Sequence, residues 1–120
     1  MKCMIDELLH NTELFDLYGA LLTDRQRECL SMYLLDDYSV SEIGEEIGTS
    51  RQAAYDMIHR AIKILEEYES KLLLLKKQHD REAVLDKAYD AIAGLQCDEE
   101  KRKAILMLIG PYTGYHQGDK

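Results

Sequence analysis

Proline occurs once in 120 residues, at Pro111, and the seven glycines are spread thinly. An all-β fold needs many tight turns and uses more of both residues, so helices lead the reading. Cysteine is scarce too. Cys3, Cys29 and Cys97 are odd in number and far apart, with neither a CxxC pair nor a disulfide framework. Three reduced, mostly buried thiols are expected, with Cys29 in the core, which suits a reducing compartment. Apolar runs stop at four or five residues, as at 72–75 and 105–109, whereas a membrane span needs roughly 20. Asp6 and Glu7 stand where a secretory leader requires its apolar stretch. A cytoplasmic protein with no membrane insertion is expected. Positive charge is the remaining shortage. Lys and Arg number 15 against 23 Asp and Glu, a net charge of −8. Nucleic-acid phosphates and anionic lipid repel such a chain unless its bases gather on one face.

What is present is helical patterning. Apolar side chains recur at Leu8, Leu9, Leu14, Phe15, Leu17, Tyr18, Leu21 and Leu22, with a break expected near His10 and Asn11. Thr23 with Gln26, and Ser39 with Glu42, are capping boxes, in which two early backbone N–H groups and two side chains satisfy each other. They predict a helix from Asp24 to about Leu35 and a short one over 40–47. Gly48 stops the second, and Ser50 caps the next. No Gly or Pro interrupts 51–93, so a long helix is predicted to about residue 77, ended by the polar Gln78, His79 and Asp80. Further helices fit 81–93 and 98–109. The organisation expected is a helical module over 1–77 with its core at 23–69, C-terminal helices over 78–110, and a flexible tail over 111–120. The fold class is all-α.

Residues 40–58 have the spacing of a helix-turn-helix. Ile43 and Ile47 face inward, Gly44 sits at the crossing, Gly48 makes the turn, and Ala54 and Met57 face inward from the second helix. Such folds place the N-terminal residues of the second helix in the major groove. Here those are Ser50, Arg51, Gln52 and Tyr55, with Arg60 beyond them. Arg can read guanine, Gln can read adenine, and Ser or Tyr can hold phosphate. Charge argues the other way. Residues 23–69 hold five bases and eleven acids, a net −6, the opposite of the usual DNA-binding module. Only clustering of Arg25, Arg51 and Arg60 would offset it.

The module resembles the DNA-binding fourth region of bacterial sigma factors. More specifically, the chain is similar to the YlxM family of small bacterial proteins. The matching strings include Glu13-Leu14-Phe15-Asp16, Tyr33-Leu34-Leu35-Asp36-Asp37, Ser50-Arg51-Gln52-Ala53 and Leu65-Glu66-Glu67-Tyr68-Glu69. They cover roughly residues 13–77. The resemblance implies a helical protein encoded beside the signal recognition particle GTPase, which assists or regulates that targeting pathway. Ala53, Tyr55 and Asp56 stand where sigma-factor helices tend to carry Arg, Arg and Gln, leaving Arg51 as the main basic contact.

Ala54, Ile58, Ala61, Leu65, Tyr68, Leu72 and Leu75 alternate in steps of four and three, the spacing of a coiled-coil seam. A homodimer through this seam is expected; the rival reading is an ordinary core face. His10, His59, His79 and His116 are scattered without ligand spacing, and no phosphate-binding or nucleophile motif occurs. No cofactor, metal or catalytic role is expected. The partners expected are DNA or RNA, a component of the signal recognition particle, and a second copy. Two alternatives to an accessory role in that pathway stay open. One is a sequence-specific transcriptional regulator, and the other an acidic protein–protein adaptor.

Overall fold

The structure, a computed structural model, describes residues 4–114. Among the described residues six helices follow one another: α1 (Met4–Tyr18), α2 (Asp24–Leu34), α3 (Val40–Ile47), α4 (Arg51–Leu72), α5 (Leu74–Ala93) and α6 (Glu99–Ile109). Short 3-10 turns follow α1 (Gly19–Leu21) and α6 (Gly110–Tyr112). The described residues are all-α, without strands. No helix among them is long and apolar enough to cross a membrane. The chain divides into two compact units after Leu75.

In the first unit, α1, α2 and α3 all pack on α4. Leu14, Tyr18, Cys29, Leu30, Ile43, Ala54, Ala61 and Leu65 form its fully buried centre. Both capping boxes are formed. Thr23 and Ser39 accept from the N–H groups of Gln26 and Glu42, whose side chains accept in return. The break expected near His10 and Asn11 is absent: α1 is continuous there, with Asn11 on its buried side. The stripe expected as a dimer seam faces inward instead. Ala54, Ile58, Ala61 and Leu65 are core, Leu75 is buried, and Tyr68 is half-buried against the core. Of that stripe only Leu72 is well exposed. A strip already covered by α1 to α3 cannot also cover a second chain.

The long helix ends at Leu72 rather than near residue 77. Leu73 takes a left-handed conformation, φ 55° and ψ 32°, costly for a residue with a side chain. The residues of α1 and α4 hold this break. The Tyr18 hydroxyl accepts from the Leu74 N–H at 3.1 Å and donates to Glu69 Oε1 at 2.7 Å. Glu69 Oε1 also accepts from the Leu75 N–H at 2.9 Å. Two orphan N–H groups at the start of α5 thus find partners outside the helix. Restarted there, α5 runs straight through Gln78, His79 and Asp80.

The second unit holds the rest of α5, with α6 and the turn after it. Asp98 caps α6, accepting from the Glu100 N–H at 3.0 Å. Arg102 pairs with Glu99 and donates to the carbonyls of Ala93 and Leu95, which ties α6 to the end of α5. The flexible tail expected from residue 111 is ordered over its first residues. Residues 110–112 form a 3-10 turn, Thr113 is fully buried, and the Gly114 N–H donates to Asp86 at 2.8 Å. Pro111 suits the start of such a turn, where a missing N–H leaves no bond unmade. Residues 115–120 lie outside the described residues.

Candidate nucleic-acid interface

The pair α3 and α4 forms the helix-turn-helix through two glycines. Gly48 lies at φ 75° and ψ 37°, in the left-handed region that favours glycine. A Cβ on Gly44 would stand 3.0 Å from the Thr49 carbonyl oxygen and 3.2 Å from that of Ser50. The backbone of the turn therefore closes directly onto α3, and no side chain fits between. Ser50 caps α4, its hydroxyl accepting from the Ala53 N–H at 3.1 Å. Ser50, Arg51 and Gln52 are all exposed at the tip this creates.

Beyond the tip, the candidate residues separate. Successive residues turn by about 100° along a helix, and the two remaining positions line different clefts. The Tyr55 ring packs against that of His59 at a tilt of 58°, ring centres 4.1 Å apart, and both face a cleft on the α1 side. Arg60 faces a groove of about 360 Å³ on the α2 side, together with Arg25, Gln26 and Asp56. The structure brings Ser50, Arg51 and Gln52 together and places Arg25 with Arg60. It does not gather Tyr55 and Arg60 on one surface. Arg25 is the addition to the candidate set. Its sign and position in the module mark it in the sequence, but only the fold brings it opposite Arg60. Gln52 is engaged, donating from Nε2 to Asp56 Oδ1 at 3.0 Å. A base would have to compete with that carboxylate.

Cys29 is core, as expected, its Sγ 3.1 Å from the Met57 sulfur, whereas Cys97 is exposed rather than buried, and Cys3 lies outside the described residues. Burial pushes the Cys29 thiol above the ordinary range and Glu28 adds to this, while the charge of Arg25 opposes it. Among the described residues no group of three or more His, Cys, Asp or Glu is placed to hold a metal ion.

A family model described as "Putative helix-turn-helix protein, YlxM / p13 like" matches residues 5–105. The chain belongs to this family. It is 48% identical over 87 residues to the YlxM protein of Bacillus subtilis strain 168, covering 72% of this chain and 79% of that one. A family member from Halalkalibacterium halodurans is 46% identical over 103 residues, covering 86% of this chain and 94% of the relative. One from Bacillus velezensis is 48% identical over 93 residues, covering 78% and 84%. The match to the family model extends well into α6, past the strings over 13–77 that carry the resemblance in the sequence.

Proposed function

We propose that this YlxM-family chain is a regulatory or accessory factor of the signal recognition particle pathway, and that the tip of α4 contacts a nucleic acid. Arg51 leads the contact, Ser50 stands beside it, and Arg25 with Arg60 attract phosphate from the flank. The observation that carries the reading is the open N-terminal turn of α4, with Ser50, Arg51 and Gln52 all exposed. Unused backbone N–H groups and the helix dipole favour an anion there. The pathway rests on the family resemblance. An RNA hairpin of the targeting particle and a promoter DNA duplex share the same phosphate chemistry, so both belong in the test.

A second reading is favoured by the Gln52–Asp56 bond and by the acid excess of residues 23–69. In it the same module is an acidic adaptor for a basic protein, such as the targeting GTPase. Fluorescence polarisation against the RNA hairpin and the DNA duplex, over a range of salt, separates the readings. Nucleic-acid binding predicts an affinity that falls steeply with salt, and a log–log slope reduced by about 1 in Arg51→Ala. If neither probe binds at low salt while GTPase capture survives in Arg51→Ala, the adaptor reading replaces it.

A further inference from the structure

The module keeps an apolar cleft of about 420 Å³ between α1 and α4. Met4, Ile5 and Leu8 of α1 line one side, and Tyr33, Tyr55 and Ile62 stand opposite. Met4 is 85% exposed, Ile5 75% and Leu8 47%. Monomers seldom leave such a run of apolar side chains in water. Glu7 and Asp37 also line the cleft, and none of the lining residues is a lysine or arginine. The site asks for an apolar partner that carries positive charge.

The second unit carries a surface of that description. No residue of α6 is fully buried. Ile105 and Leu108 are three residues apart on α6, so they lie on one side with Met107 beside them, and Tyr112 follows in the 3-10 turn. Met107 is 78% exposed, Leu108 71% and Tyr112 68%. Lys101, also exposed, precedes Ile105 by four residues and so heads the same stripe. Glu100 and Lys103 flank it. An amphipathic helix laid in an apolar groove is a recurrent mode of recognition, and methionine and tyrosine adapt well to it.

We propose that two copies of this chain associate reciprocally, α6 of each lying in the cleft between α1 and α4 of the other. One interface accounts for both uncovered apolar surfaces. Lys101 meets the carboxylates of Glu7 and Asp37, and Ile105, Leu108 and Met107 meet Ile5, Leu8 and the tyrosines. The reciprocal exchange closes on itself, so assembly stops at two copies. The interface stands apart from the nucleic-acid reading and is measured without any nucleic acid.

Sedimentation equilibrium of the full chain tests it. The wild type is expected to be a dimer at micromolar concentration. Leu108→Asp on α6 and Ile5→Asp on α1 alter well-exposed positions, and circular dichroism verifies that each variant folds. Each should weaken the dimer at least about 100-fold, since a buried leucine or isoleucine becomes a charge in an apolar site. An equimolar mixture of the two variants retains one intact contact, and should form a heterodimer that neither forms alone. Lys101→Glu, which leaves the apolar stripe untouched, should weaken the dimer about 10-fold. A wild type that is monomeric throughout the micromolar range overturns the proposal, as does growth beyond two copies. So does a dimer unaffected by Leu108→Asp and Ile5→Asp, which would place the interface elsewhere.

Discussion

Replacing Tyr18 by Phe isolates the break between α4 and α5. Tyr18 is 1% exposed, and its ring stacks on Tyr68 with centres 5.9 Å apart. Phenylalanine keeps the ring, its burial and that stacking. What it loses is the hydroxyl, which donates to Glu69 at 2.7 Å and accepts from the Leu74 N–H at 3.1 Å. A hydrogen bond to a charged group is worth about 1.5–3 kcal/mol, and a buried N–H left without a partner costs about 1–3 kcal/mol. Leu74 is itself 41% exposed, so water relieves part of the second penalty. The loss expected is about 2 kcal/mol. In urea, where stability falls by about 1–3 kcal/mol per molar, the midpoint drops by about 1 M. Glu69→Gln should lose about 1 kcal/mol, because the amide oxygen can still accept from the Leu75 N–H but without charge. The double variant should lose less than the two single losses together, since both act on one network. A midpoint unchanged in Tyr18→Phe, or losses that simply add, would refute the view that these groups hold the break.

Alkali should expose the same hydroxyl. Burial, then the bond to Glu69, raises the Tyr18 phenol above its ordinary value near 10, although the Leu74 N–H pulls the other way. The folded chain therefore holds this proton more tightly than the unfolded chain. The resulting stability is complete below about pH 10 and is lost as the pH climbs through the higher folded value; urea titrations of Tyr18→Phe should show a shallower decline there. Gly44→Ala should destabilise by about 2 kcal/mol or more because its Cβ meets backbone. Gly48→Ala should lose only about 1 kcal/mol, since nothing stands within 4 Å and only the left-handed conformation opposes it; thermal melts that reverse this order would contradict the crossing geometry. An aromatic disulfide reagent should titrate Cys97 in the native chain at once and Cys29 only on unfolding, because Cys97 is exposed and Cys29 is buried with a raised thiol; equal rates would show that the core opens readily.

Local chemistry made much of the fold legible. Thr23 with Gln26 and Ser39 with Glu42 act within one helical turn, and Gly48 acts on its own backbone, so α2, α3 and the turn could be placed from residues near in sequence. The tip of α4 follows from Ser50 for the same reason. The break at Leu73 could not be placed that way. Nothing in residues 70–76 stops a helix, and the groups responsible include Tyr18, 56 residues from the N–H that it accepts. The four-and-three stripe on α4 was equally ambiguous, because a coiled-coil seam and a core face have one spacing.

Taken alone, the order of residues determined an all-helical chain, its capped helices and an exposed arginine at the head of α4. Those properties depend on groups a few positions apart. Tertiary structure decided where the long helix stops, that Ala54, Ile58, Ala61 and Leu65 look inward, and that Arg25 shares a groove with Arg60 while Tyr55 does not. It also left the cleft beside α1 and the stripe on α6 uncovered. Such outcomes depend on which helix covers which face, and periodicity carries no record of the partner.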